Sequence, residues 1–131
     1  MGRVILLLTT TGRKSGRPRV TPLQYEESDG IIYLGAARGK QADWVRNILA
    51  DPEVTVRVKA REFHGVANVV SDVSRIADFL ELRLRRHPQM VAAMLRSEGL
   101  ALPPSRAQLE KYAAELTLVA IREAGARPEH A

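Results

Sequence analysis

A chain of 131 residues with a formal net charge of +5, a pI near 10.1 and no cysteine fits one domain, residues 1–131, that folds without disulfides. The missing cysteine removes thiol nucleophiles, thiolate-bound zinc and iron–sulfur chemistry, so any redox chemistry would come from a bound cofactor. The charge points to an acidic partner, and the early apolar run Val4 to Leu8 is far short of the ~20 residues of a bilayer span and too short for a secretion signal. A cytoplasmic protein without an integral membrane span is the expectation, contact with an anionic membrane face staying open.

Arg3 to Thr11 is apolar and β-branched, and Val20 to Glu26 repeats that character after a basic turn, which predicts a hairpin. The turn brings Arg13, Lys14, Arg17 and Arg19 together, while Gly12 and Gly16 permit positive φ, so amide N–H groups and guanidinium forks can converge on phosphate oxygens. A phosphorylated ligand is the first functional expectation.

Asp29-Gly30 marks the next turn, and Ile31 to Ala37 reads as a third strand that ends in small residues. Gln41 to Ala50 places Trp44, Val45, Ile48 and Leu49 on one helical face, and Asp51-Pro52 ends that helix. Val54, Val56 and Val58 alternate with polar neighbours, as do Phe63, Gly65, Ala67 and Val69, giving a fourth and a fifth strand. From Asp72 the period becomes helical: one helix through Ile76, Phe79, Leu80 and Leu84, a second after His87-Pro88 through Met90, Val91, Met94 and Leu95, and a third opened by a capping box of Ser105 and Gln108. Leu116 to Ile121 reads as the last strand. This order suits an α+β fold built on a small antiparallel barrel, and no G-x-G-x-x-G follows any strand to support a doubly wound sheet.

Three blocks in order, Leu8 to Leu23 with its Gly-Arg-Lys-Ser-Gly-Arg-Pro-Arg core, Gly35 to Gly39, and Asp43 to Val54, resemble the deazaflavin-dependent nitroreductase family, whose members bind coenzyme F420. The resemblance implies a split β-barrel, like that of flavin mononucleotide-binding proteins, with about six antiparallel strands, a short helix after the third and a helical insertion before the last. It implies that Arg13, Lys14, Ser15, Gly16 and Arg19 hold the coenzyme's phosphate, that Pro22 lies beside the ring, and that Ala36, Ala37, Arg38 and Gly39 line the ring and linker. Trp44 and Asn47 match the family's W-x-x-N pair. The implied activity is hydride transfer from the reduced coenzyme to a small electrophilic acceptor such as a quinone, an activated alkene or a nitroaromatic. The resemblance also implies a segment before the first strand that closes over the acceptor, whereas here that strand begins almost at Met1.

Other readings attach to the same residues. Flavin mononucleotide (FMN) would offer the turn a similar phosphate, and a non-catalytic F420 carrier would need the same socket. Trp44 also reads as helix core, and Asn47 as a structural residue. Tyr25, Tyr33 and Tyr112 are the proton donors available by chemistry, and no spacing selects one, so the catalytic residue is unassigned. His64, His87 and His130 lack second ligands at metal spacing, which argues for no metal. The cluster Arg83, Arg85, Arg86 reads as a solvated helix face, and with aromatic residues at 5% the chain has little to stack on bases, so no nucleic acid is expected. A homodimer paired through the sheet is the expected assembly.

Overall fold

The computed structural model describes residues 5–36 and 41–125, which form seven antiparallel strands and four helices. In chain order these are β1 (Ile5–Thr11), β2 (Pro18–Gln24), β3 (Glu26–Ser28), β4 (Ile31–Ala36), α1 (Asp43–Ala50), β5 (Glu53–Val58), β6 (Arg61–Val70), α2 (Val73–Arg86), α3 (Pro88–Ser97), α4 (Arg106–Ala113) and β7 (Thr117–Glu123). All seven strands join one sheet in the order β2-β1-β5-β6-β7-β4-β3. Its two end strands, β2 and β3, are separated in the chain by Tyr25 alone, so the sheet curls until the backbone itself links its ends.

That link corrects the expected strand count. The single strand read over Val20 to Glu26 divides at Tyr25, because Gln24 pairs with Ile5 of β1 whereas Glu26 pairs with Tyr33 of β4. The reason lies in facing: Leu23 and Tyr25 pack on the barrel core, yet Glu26 is buried too, so the two-residue alternation fails at this corner and the chain changes partner. The helix α1 consequently follows a fourth strand, not a third. The insertion before the last strand falls where the periodicity placed it, with Asp72 capping α2 through the N–H groups of Ser74 and Arg75, and Ser105 and Gln108 forming the capping box of α4.

Two apolar clusters share the sheet. Inside the curl, Leu6, Leu8, Leu34, Val54, Val56, Val119 and Ile121 meet Trp44, Val45 and Ile48 of α1. On the outside, α2, α3 and α4 bring Ile76, Leu80, Val91, Leu95 and Leu109 against Val70, Leu118 and Ala120. Thus β7 is covered on both faces, which accounts for its unbroken run of buried residues from Thr117 to Ile121. Among the described residues nothing covers the outer face of β2, β1 and β6 in this way, and Ile5, Leu7, Val20 and Val66 stand exposed there.

Candidate functional site

The turn between β1 and β2 closes tightly. Gly12 donates its N–H to the Arg17 carbonyl at 2.8 Å, Gly16 donates to the Gly12 carbonyl at 2.8 Å, and the Arg17 N–H meets Ser15 Oγ at 3.1 Å. Two glycines make this possible. Gly16 sits at φ +72, and a Cβ on Gly12 would come within 2.8 Å of Ser15 Oγ and 3.1 Å of the Arg17 carbonyl oxygen. The N–H groups of Gly12, Gly16 and Arg17 are thus spent inside the turn, and what the turn offers an anion is its cationic side chains.

Helix α1 fixes this turn through one buried side chain. Asn47, 4% exposed, accepts at Oδ1 from the Arg13 main-chain N–H at 3.2 Å and from Arg13 Nη1 at 2.8 Å, while its Nδ2 donates to Thr10 Oγ1 at 3.1 Å. Thr10 is itself buried at the end of β1. An amide placed between strand and turn satisfies a main-chain donor and aims a guanidinium at the same time. Arg13 Nη2 then pairs with Asp43 Oδ1 at 3.2 Å. Trp44, on the same helix, belongs to the barrel core and also lines the cleft.

A cleft of about 480 Å³ opens here, lined by Arg13, Lys14, Ser15, Arg19, Asp43 and Asn47, with Trp44, Val20 and Thr21 at its sides. This volume lies within the range of small-ligand sites. Among the described residues Lys14, Arg17 and Arg19 make no salt bridge, so the cleft carries more positive charge than the one carboxylate of Asp43 offsets. The excess of positive charge and the aimed Arg13 fork fit a phosphate-bearing group.

Six of the residues read from sequence thus share one cleft: Arg13, Lys14, Ser15, Arg19, Trp44 and Asn47. Gly16 lines a neighbouring cleft of about 560 Å³ with Thr9, Thr55 and His64. Pro22 is exposed on β2 opposite Leu7, and Ala36 is 4% exposed within the barrel core. Ala37, Arg38 and Gly39 lie outside the described residues. Asp43 and Thr10 were passed over by the sequence reading. The spacing of Asp43 and Asn47, four residues apart on one helix, is the signal that could have found Asp43, whereas nothing local marks Thr10 as the partner of Asn47.

The three tyrosines fall elsewhere. Tyr25 packs on the barrel core, while Tyr33, whose ring lies 5.9 Å from that of Phe79, and Tyr112 pack in the outer cluster. Burial, followed by the charges of Glu27 and Glu26, raises the Tyr25 phenol pKa, and burial, followed by Glu98 and Glu115, raises that of Tyr112.

Residues 1–99 match the profile of a family described as F420H(2)-dependent quinone reductase. An F420H(2)-dependent quinone reductase of Mycobacterium tuberculosis strain H37Rv is 34% identical over 68 residues, which cover 50% of this chain and 46% of that protein. The chain spans about half the length of the curated relatives it matches. Among solved structures, an F420-H2 dependent reductase designated FDR-A superposes with a TM-score of 0.61 at 22% identity, covering 93% of this chain and 96% of that one. The heme storage protein HutZ from Vibrio cholerae does so with a TM-score of 0.64 at 15% identity, covering 95% and 84%. At these identities the likeness is one of fold.

Proposed function

The chain belongs to the F420H(2)-dependent quinone reductase family, and on that premise we propose that it binds reduced coenzyme F420 at the basic turn and passes hydride to a quinone. Activated alkenes and nitroaromatics are further acceptors of the same electrophilic class. The observation that carries this reading is the Asn47-held Arg13 over a cleft shared with Lys14 and Arg19, within the residues that match the family.

When bound, the coenzyme supplies the hydride. The chain's own residues bind and orient. Arg13, Lys14 and Arg19, with Ser15 and the backbone at Gly16, hold the phosphate; Asn47 keeps the Arg13 fork aimed; Trp44 walls the cleft against water. Pro22 lies beside the ring in this proposal. A split-barrel domain over residues 1–131, cytoplasmic and paired with a second copy through the bare outer face of β1 and β2, completes it.

The test is a fluorescence titration with F420 of the wild type and of an Arg13→Ala, Lys14→Ala double variant. Micromolar or tighter binding that weakens at least about 150-fold in the double variant is expected, since two lost charge-assisted contacts at roughly 1.5 kcal/mol or more each come to roughly 3 kcal/mol or more. Failure of the wild type to bind F420 overturns the reading. Oxidation of the reduced coenzyme by a soluble quinone then tests turnover.

A further inference from the structure

The cleft contains one feature that anion binding alone does not require. Asp43, 85% exposed in its side chain, sets its carboxylate 3.2 Å from Arg13 Nη2, on the guanidinium that Asn47 aims into the cleft. The Asp43 main-chain carbonyl also lies 3.5 Å from Arg13 Nη1. Asp43 opens α1, and the cap position before it, Ala42, contributes no side-chain hydrogen bond. An exposed pair of this kind adds little to stability. Its effect falls on whatever anion approaches Arg13.

From this geometry we infer that Asp43 is a specificity-determining residue, a fixed counter-charge that penalises a phosphate monoester, with nearly two negative charges, more than a phosphate diester, with one, and so shifts the selectivity of the cleft toward the diester. This rests on the phosphate-binding reading above. The physical ground is that repulsion from a fixed carboxylate scales with the charge of the ligand, so a dianion suffers twice the penalty of a monoanion. Partial neutralisation of Arg13 works in the same sense, because the attraction it removes is also twice as large for the dianion. Lys14 and Arg19 keep the cleft attractive to both. The phosphate of coenzyme F420 is a diester and that of flavin mononucleotide a monoester with a second pKa near 6, so the inference names the residue by which one turn would tell the two cofactors apart.

Simple anions isolate the effect. Methyl phosphate and dimethyl phosphate are titrated at about pH 8, where the first is a dianion, against the full chain, following the Arg13 and Gly16 amide resonances. In Asp43→Asn, dimethyl phosphate affinity should rise about 3-fold and methyl phosphate about 10-fold, since doubling the energy squares the ratio. Asp43→Glu, which keeps the charge, should retain the wild-type ratio of the two affinities. Equal gains for the two anions, no gain, a loss in Asp43→Asn, or no binding of either anion to any of the three proteins would overturn the inference. Titration of the wild type with F420 reports separately on the coenzyme reading, so the two can fail independently.

Discussion

The protein gathers arginines around a polar partner in two places, and burial separates what they do. At the corner between β2 and β3, the Glu26 carboxylate, 7% exposed, has Arg83 Nε 3.4 Å away, Arg86 Nη1 at 3.1 Å and His87 Nε2 at 2.6 Å, and Arg86 also donates to the Glu27 carbonyl at 2.8 Å. These groups from the end of α2 enclose one acid, which fastens the helical layer to the strand that closes the curled sheet. At the basic turn the relation is reversed: cations outnumber the single carboxylate, Arg13 is 25% exposed, and the cleft stands open. A buried carboxylate that draws cations around itself makes a scaffold, whereas cations lining an open cleft, one of them aimed by a neutral amide, remain available to a ligand.

The sharpest way to break this comparison is at the buried acid. Glu26→Gln keeps the shape but leaves Arg83, 17% exposed, without its counter-charge, and should lower stability by about 3 kcal/mol, at the lower end for a buried pair because Arg86 and His87 reach solvent. Urea unfolding measures it. Ligand affinity at the basic turn should change by less than about twofold for sites this independent. A loss of under about 1 kcal/mol would show that the corner is no more than a surface network.

Asn47→Ala comes next, and it should do what neither neighbour does alone. Removal of the amide strands the buried Thr10 hydroxyl and the Arg13 main-chain N–H, for a loss of about 2 kcal/mol in stability. It also frees the Arg13 fork, so F420 should bind about 10-fold more weakly. Arg13→Ala, by contrast, should weaken binding with little change in unfolding. If Asn47→Ala changed stability alone, the amide would serve packing and not aim.

Which parts could be read from the chain follows from the range of the interactions. The basic turn, α1 and the capping box of α4 were legible because their signals lie within a few residues: glycines at Gly12 and Gly16, the stripe from Trp44 to Ile48, Ser105 three before Gln108. The division of one strand into β2 and β3 was not, since its cause is Glu26, whose partners lie about sixty residues later in α2 and read as a solvated basic face. Asn47 was found by its match to a family pattern, but its work, joining Thr10 to Arg13 across 34 residues and more, is visible only in three dimensions. Ala36 shows the converse. A small residue expected beside a ligand is part of the barrel core, because a short side chain serves a crowded strand crossing as well as a close approach.

The smallest expected effect lies at Tyr25, the one residue that joins the two strands the comparison concerns. Its phenol is held above the ordinary value of 10.0, first by burial and then by the charges of Glu27 and Glu26, so the fold favours the neutral form. The sign follows: stability from this source is fully present below the unfolded phenol value and is lost as pH rises through the higher folded value. Between roughly pH 9 and 11 the wild type should therefore lose stability more steeply than Tyr25→Phe, which has no proton to release. Unfolding series across that window measure the difference in slope. In the Glu26→Gln background the gap between Tyr25 and Phe should narrow without closing, because one repelling carboxylate has gone while burial and Glu27 remain. A gap unchanged in that background would place Tyr25 outside the reach of Glu26, and would leave burial and Glu27 as the causes of the shift.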